Sequence, residues 1–159
     1  MFGAVVRATT KYIVIHCSWS PRSFLGGIKD IDRWHRLRGF MRVGYHYVIP
    51  FDGTLQKGRD LSDVGAHVAR NGHNHDSVGI CLIGGMAEGS KEDEDNFTDE
   101  QKLTLDGVIR TLMDFYPEAA VVGHSDLDNR KTCPVMDVTA FLEARGLLEE
   151  NQRRLAALQ

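Results

Sequence analysis

The sequence predicts an α/β fold in which a central mixed β-sheet is flanked by helices. Three observations predict it: short apolar runs rich in β-branched residues, longer stretches with helical apolar spacing, and one strong hairpin signal. A hairpin joins antiparallel strands, whereas strands separated by helices usually pair in parallel, so the sheet should be mixed. The 159 residues contain no internal repeat and no linker, which predicts one domain over 1–159, with a core at about 11–145 and a C-terminal helix at 146–158.

The strands are predicted from apolar runs that are too short for helices. They are expected at 11–17 (KYIVIHC), 77–85 (SVGICLIGG) and 119–124 (AAVVGH). A hairpin is expected over 44–59, around a DG dipeptide that is typical of tight turns.

The helices are predicted from apolar stripes and from terminal signals. The segment IKDIDRWHRLRGF should form a helix that closes at Gly39, because glycine is favoured just beyond a helix C-terminus. A second helix over 99–115 should begin with a capping box of Thr98 and Gln101. A further helix should begin after Asp137, its expected N-cap residue.

The charge and hydropathy of the chain exclude several classes of partner. A net charge of −3 provides no basic footprint, which argues against DNA. No apolar stretch approaches the roughly 20 residues that cross a bilayer, and the N-terminus lacks the pattern of a signal peptide, so we expect folding in the cytoplasm and no membrane insertion. The 3 cysteines lack framework spacing and fit reduced thiols. The acidic segment 88–96 is expected to be a solvated connector.

Three residues in strand-like or strand-end contexts are good zinc donors: His16, His124 and Cys133. Zinc binds imidazole and thiolate readily, and a catalytic site uses three protein ligands while leaving a fourth position for water. The two histidines end predicted strands, where a sheet would hold them in place. One Zn²⁺ is therefore the expected cofactor.

Other interpretations of these residues stay open at this point. A lone buried cysteine is more often a small apolar residue than a ligand, and a strand-end histidine can simply be hydrogen-bonded. Cys17 is an alternative donor, but it is adjacent to His16 in a strand and should point to the opposite face. The segment GHNHD offers His73 and His75 as a second pair, although its composition favours a solvated turn or a substrate edge. The absence of HExxH argues against a zincin peptidase.

A lysine is predicted to accompany the cysteine donor. Pro134 disfavours helical geometry at Cys133 and favours an extended backbone there. Because residues i and i+2 of an extended segment face the same side, Lys131 and Cys133 should point together. An ammonium group beside the metal could stabilise the oxyanion that forms during amide hydrolysis.

Five blocks of the sequence together resemble a known family. They are VIHCSWS, GYHYVIPFDGTLQKGRD, VGAHVARNGHNHDSVGICLIGG, NFTDEQ and GHSDLDNRKTCPVMDV. Their order and spacing are similar to those of the phage lysozyme-type N-acetylmuramoyl-L-alanine amidases, relatives of the peptidoglycan recognition proteins. The resemblance extends from about Lys11 to about Leu142, and it implies the amidase and peptidoglycan recognition protein-like fold.

The resemblance implies a zinc amidase that cuts the bond between N-acetylmuramic acid and the L-alanine of the peptidoglycan stem peptide. Matched block by block, the metal ligands of the family correspond to His16, His124 and Cys133, and Cys17 matches a position that is not a ligand. Eight residues separate His124 from Cys133, one more than expected from the family, so no role is carried over to 125–130.

The resemblance also implies roles for residues that do not bind the metal. The catalytic tyrosine of the GYH motif corresponds to Tyr45, and the lysine of the KxCP motif corresponds to Lys131. The histidine of the VGxH motif corresponds to His67, and the NHxS run contains Asn74 and His75. These last three residues would bind substrate along the groove.

Two alternative functions accompany this prediction. A non-catalytic peptidoglycan-binding domain of the same superfamily would lack the cysteine ligand, whereas Cys133 is present here. A cytoplasmic anhydromuramyl-peptide amidase of wall recycling would carry an aspartate at that position. The resemblance implies a phage endolysin that waits in the host cytoplasm and reaches peptidoglycan in the periplasm after the membrane is breached, with a phage RNA polymerase as a possible further partner.

Overall fold

The computed structural model describes residues 4–159, which form a five-stranded sheet with helices on both faces. The strands in chain order are β1 (Tyr12–Cys17), β2 (Tyr47–Ile49), β3 (Gln56–Lys57), β4 (Ser77–Leu82) and β5 (Ala120–Gly123). The helices are α1 (Ile28–Leu37), α2 (Asp99–Phe115), α3 (His124–Leu127), α4 (Val138–Ala144) and α5 (Leu148–Ala157), and a 3-10 helix spans Arg70–His75.

The sheet is mixed, as predicted from the sequence. Its strand order is β3-β2-β4-β1-β5, in which β2, β4, β1 and β5 are parallel and only β3 is antiparallel. The predicted hairpin is the β2–β3 pair, with Tyr47 opposite Lys57. The two strands fill only part of the predicted range 44–59, because residues 50–55 form a connection longer than a two-residue turn. Within this connection Gly53 has a φ of +80°.

Local signals set the helix ends where the sequence predicted them. Helix α2 begins after Thr98, whose hydroxyl accepts a hydrogen bond from the Gln101 backbone, while the Gln101 side chain returns to the Thr98 backbone. Asp137 caps α4 by accepting a hydrogen bond from the Ala140 backbone. Gly39 follows α1 with a φ of +92°, which glycine adopts without strain.

Apolar side chains bury both faces of the sheet. The stripe of α2, which includes Leu105, Ile109 and Leu112, packs on one face with residues of α4, and Ile31 of α1 packs on the other. Such two-sided cover explains why β1 and β4 are buried on both faces and mostly apolar rather than alternating. No helix within 4–159 is long and apolar enough to cross a bilayer.

Helix α5 covers the edge of the sheet at β5. The Asn151 amide donates to the Val121 carbonyl at 2.9 Å and accepts from the Val121 N–H at 2.6 Å, so it pairs with the strand as another strand would. The predicted C-terminal packing helix therefore has a definite role, because it satisfies backbone groups that an edge strand leaves unpaired.

The strand register brings two of the predicted ligands together. Ile15 of β1 lies opposite Gly123 of β5 in a parallel pair, so the next residues, His16 and His124, emerge side by side. Ligand sites of parallel sheets generally lie at the carboxyl ends of the strands. The sequence predicted that His124 would end the strand, whereas it begins the short helix α3.

Candidate metal centre and its cavity

His16, His124 and Cys133 bring one donor atom each to a common point. These three atoms all lie within 4.8 Å of one another, and the Cys133 Sγ is 3.9 Å from the His16 Nδ1. Within residues 4–159, this is the one group of three or more histidine, cysteine or acidic residues that converges in this way. The second histidine pair that the sequence offered, His73 and His75, is not part of it.

The donor set fits a zinc ion. Two imidazoles and one thiolate are zinc ligands, and three protein ligands leave a position for water. Burial lowers the pKa of His16 and of His124, so both rings are neutral near pH 7, the form that binds metal. The Cys17 backbone N–H donates to the Cys133 Sγ at 3.1 Å. The neighbouring Cys17 thiol and burial nevertheless raise the pKa of Cys133, so its thiolate would form when a metal ion binds.

Cys133 is held by a turn rather than by the extended segment expected from the sequence. The Val135 N–H donates to the Thr132 carbonyl at 2.9 Å, and the Cys133–Pro134 peptide bond is cis. The Cys133 carbonyl accepts from the Ser125 N–H at 2.8 Å, which ties the turn to α3. Lys131 and Cys133 nevertheless line the same cavity.

His67 contacts the His16 ring at Nε2, the nitrogen that does not face Cys133. Its Nδ1 lies 2.8 Å from the His16 Nε2, and its Nε2 lies 3.3 Å from the Ser77 hydroxyl, which donates to the His73 carbonyl. In one consistent assignment, the His16 Nε2–H donates to the His67 Nδ1 and the His67 Nε2–H donates to the Ser77 hydroxyl. The His16 Nδ1 then keeps a lone pair that can bind a metal. Gly79 permits the arrangement because a Cβ there would lie 2.7 Å from the His67 ring.

Of the three predicted substrate-groove residues, two line the cavity. His67 and Asn74 do so, and the Asn74 side chain accepts hydrogen bonds from the backbone N–H groups of His67 and Val68 at 2.7 Å each. His75 is exposed at the end of the 3-10 helix and is not part of the cavity lining.

Two of the three candidate ligands, His124 and Cys133, line a cavity of about 1030 Å³ that also presents the two predicted catalytic residues. The ring of Tyr45 lies 5.0 Å from that of His16, and burial raises the pKa of its phenol, which stays protonated at neutral pH. Lys131 is exposed and also lines the cavity. The cavity lining includes four cations and two carboxylates: Arg38, Arg70, Arg130, Lys131, Asp93 and Asp128.

Asp128 is a residue of the site that the sequence did not reveal. Only 3% exposed, it accepts two hydrogen bonds from the Arg130 guanidinium at 2.8 Å and lies 3.9 Å from Arg70. Arg130 holds the pKa of Asp128 well below its usual range. The Asp128 carbonyl accepts from the Lys131 N–H and its own N–H donates to the His124 carbonyl, so this residue connects a candidate metal ligand, the lysine and Arg70.

Comparison with known proteins agrees with this geometry. Residues 6–135 match the family Amidase_2, described as N-acetylmuramoyl-L-alanine amidase. The endolysin of Enterobacteria phage K11 is 37% identical over 147 residues, which cover 92% of this chain and 94% of that protein.

Two solved structures share the fold. The endolysin amidase LysCS of Clostridium intestinale URNW has a TM-score of 0.73 at 24% identity and covers 92% of this chain and 93% of its own. A Drosophila PGRP-LB variant in complex with tracheal cytotoxin has a TM-score of 0.66 at 24% identity, covering 83% and 79% of the two chains. The family match spans most of the residues that build the sheet and the metal centre, and the chain belongs to the N-acetylmuramoyl-L-alanine amidase family.

Proposed function

We propose that this chain is a one-zinc endolysin that hydrolyses the amide bond between N-acetylmuramic acid and the L-alanine of the stem peptide. One observation carries the proposal: the donor atoms of His16, His124 and Cys133 converge within 4.8 Å, beside a cavity that Tyr45 and Lys131 line. Family membership supports the reaction, and the donor set supports the metal.

His16 and Cys133 are each held in position by contacts of their own. His16 offers Nδ1 while its Nε2 is engaged by His67, so its ring cannot rotate away. Cys133 offers Sγ from a turn that the backbone of Ser125 and Val135 fixes. A zinc ion bound there supplies Lewis-acid chemistry and lowers the pKa of water.

Two further residues act on the substrate. The Tyr45 hydroxyl, a neutral donor beside His16, orients the attacking water by donating a hydrogen bond to its oxygen. The Lys131 ammonium stabilises the negative charge that develops on the carbonyl oxygen of the scissile amide. Its placement depends on Asp128, whose carbonyl accepts the Lys131 N–H.

The charge of the cavity suits the peptide part of the substrate. A stem peptide carries free carboxylates, and the lining provides four cations against two carboxylates, whereas the whole chain has a net charge of −3. His67 and Asn74 are positioned to border the bound peptide, and His75 would contact it only where the peptide extends beyond the cavity. The PGRP-LB complex with tracheal cytotoxin supports a wall fragment as ligand.

The biological setting follows from the phage relatives. We expect the enzyme to accumulate in the host cytoplasm and to reach peptidoglycan in the periplasm once the membrane is breached. An interaction with a phage RNA polymerase stays a prediction from the family resemblance.

Digestion of intact sacculi tests the function. The zinc-loaded protein should release free stem peptides, identified by mass spectrometry, and zinc analysis should give one ion per chain. A Cys133→Ala variant, which loses a ligand, should lose both metal and activity. New reducing sugar ends without free peptides would instead indicate a glycosidase. Hydrolysis of soluble anhydromuropeptide in preference to sacculi would indicate a recycling amidase.

A further inference from the structure

Trp19 lies on the rim of the cavity and has no part in the chemistry described above. It follows β1 by two residues, lines the cavity together with Cys17 and Ser18, and is 43% exposed. A large aromatic side chain left this exposed beside a metal centre is a candidate for contact with substrate, because aromatic residues provide much of the contact area in ligand sites.

The backbone at Trp19 is strained and is held that way from both sides. Its φ is +54°, a conformation that residues with a side chain other than asparagine or aspartate rarely adopt. The Ser18 N–H donates to the Leu82 carbonyl at 2.9 Å and the Ser20 N–H donates to the Gly84 carbonyl at 3.0 Å, so both neighbours are fixed to the end of β4. Strain of this kind persists where the surroundings impose it, and it clusters at functional sites.

The indole is also fixed by its polar atom. Its Nε1–H donates to the Asp93 carboxylate at 2.9 Å. Asp93 belongs to the acidic segment 88–96, which Glu88 ties to the Ser23 backbone and hydroxyl. The segment 88–96 therefore makes specific contacts with Trp19 and Ser23, whereas the sequence predicted only a solvated connector. With its N–H engaged, the indole can offer the cavity only carbon surface.

The Asp93 carboxylate limits which part of the substrate the exposed face of the indole can bind. A carboxylate at the indole edge repels the anionic stem peptide, and the cations of the lining, Arg38, Arg70, Arg130 and Lys131, belong to other segments. The other half of the substrate is neutral, because the lactyl carboxyl of N-acetylmuramic acid is consumed in the scissile amide. A pyranose ring combines an apolar C–H face with hydroxyl and amide donors for a carboxylate.

Resting on the proposed function, we propose that Trp19 is the platform on which the amino sugar of the substrate stacks, with Asp93 fixing the indole and accepting a hydrogen bond from the glycan. The rigid ring lowers the entropic cost of binding, since neither its backbone nor its side chain has to become ordered. Trp19 is therefore a specificity determinant for the glycan half of the substrate.

A pair of soluble substrates tests the platform: GlcNAc-MurNAc-tripeptide and the sugar-free N-(D-lactyl)-tripeptide. Trp19→Ala should lower kcat/KM for the disaccharide substrate about tenfold, the size of an aromatic contact, and leave the sugar-free substrate unchanged. An equal loss on both substrates, or no loss on either, would overturn the proposal. If the wild-type protein releases peptide from neither substrate, the proposed function fails instead.

A binding measurement separates the contact from folding. The chain has 2 tryptophans, so Trp34→Phe leaves Trp19 as the only indole. Titration of this zinc-loaded variant with GlcNAc-MurNAc whose lactyl carboxyl is blocked as a carboxamide, and so is neutral as in the substrate, should give saturable quenching of its fluorescence, and an unchanged spectrum would contradict the platform.

Two further variants complete the test. Trp19→Gly, which relieves the positive φ, should unfold at a temperature no lower than Trp19→Ala while it still loses the glycan preference. Phe115→Ala, which removes an exposed aromatic outside the cavity lining, should keep the preference intact. Retention of the glycan preference by Trp19→Gly would sink the idea.

Discussion

The Nδ1 atom of His67 lies 2.8 Å from the Nε2 atom of His16, near the carboxyl end of strand β1. A metal-binding histidine usually donates its second ring N–H to a partner that fixes its tautomer and orientation. His67 occupies that position, and the Ser77 hydroxyl lies 3.3 Å from its other nitrogen. His67, which the family resemblance assigned to the substrate groove, is thereby also placed to orient a candidate metal ligand.

Removing this support should weaken metal binding. His67→Ala is expected to lower zinc affinity 10- to 100-fold, in line with losses seen when such partners are removed, and Ser77→Ala should cause a smaller loss. Competition with a chromophoric chelator measures the affinity, and the absorption of the cobalt-substituted protein reports on ligand geometry. His75→Ala serves as the matched control, because His75 is exposed and outside the cavity. Wild-type affinity in His67→Ala would show that the contact does not orient His16.

Substitutions of the two proposed catalytic residues should separate chemistry from metal binding. Lys131→Ala is expected to lower kcat about 100- to 1000-fold, the effect of losing one group that stabilises an oxyanion. Tyr45→Phe should also remove most activity, and both variants should retain one zinc ion. Lys102→Ala removes a lysine outside the cavity lining and should be neutral. Normal clearing of peptidoglycan by Lys131→Ala would rule out its proposed role.

Neutralising Asp128 should impair catalysis without loss of metal. Asp128→Asn weakens the pairing with Arg130 and Arg70 that fixes the loop before Cys133, so Lys131 would lose its position. We expect kcat to fall about tenfold or more, since misplacement of a catalytic group by about 1 Å is costly. Zinc content should be unchanged, as in the control Asp114→Asn on the exposed face of α2. Unaltered kinetics would show that Lys131 is positioned without Asp128.

Stability should decrease in mild acid because His46 is buried as a neutral ring. Its Nδ1 accepts from the Gly79 N–H at 3.0 Å, its Nε2 donates to the Asp63 carbonyl at 2.8 Å, and burial lowers its pKa to about 4. Because this folded-state pKa lies below the unfolded value of about 6.5, the contribution is complete above pH 6.5 and is lost as the pH falls towards 4. The loss from His46 alone is about 3 kcal/mol at pH 4.

Guanidinium unfolding of the metal-free protein at several pH values measures this effect. His46→Gln, which can keep both hydrogen-bonding roles but cannot titrate, should show a shallower dependence on pH between 6.5 and 4. Parallel pH profiles for the two proteins would mean that His46 is not the responsible group.

The two hydrogen bonds between Asn151 of α5 and Val121 of β5 should contribute measurably to the free energy of unfolding. Asn151→Ala leaves the buried N–H and carbonyl of Val121 without partners, which should lower the free energy of unfolding by about 3 kcal/mol. Gln152→Ala changes an exposed neighbour in the same helix and should stay within about 0.5 kcal/mol of the wild type. Chemical denaturation measures both, and equal stability of the two variants would contradict the role given to Asn151.

Most secondary structure could be predicted because its signals are local. Helix α2 spans Asp99–Phe115 as predicted, since its capping box and apolar stripe lie within the segment itself. The strand of β1 was predicted for a similar reason, because a fully buried parallel strand is apolar on both faces. The short strands of the hairpin were less predictable, since the length of pairing depends on neighbouring strands.

By itself, the sequence determined the donors, namely the residue types and motifs that make His16, His124 and Cys133 candidates for one zinc ion. Tertiary structure alone decided that they meet, because the register of β1 against β5 places His16 beside His124. It alone also placed Asp128 between Arg130 and Arg70, and Trp19 at the cavity. Trp19 is bound by Asp93, 74 residues along the chain, and a contact between such distant residues leaves no periodicity, spacing or local signal in the sequence.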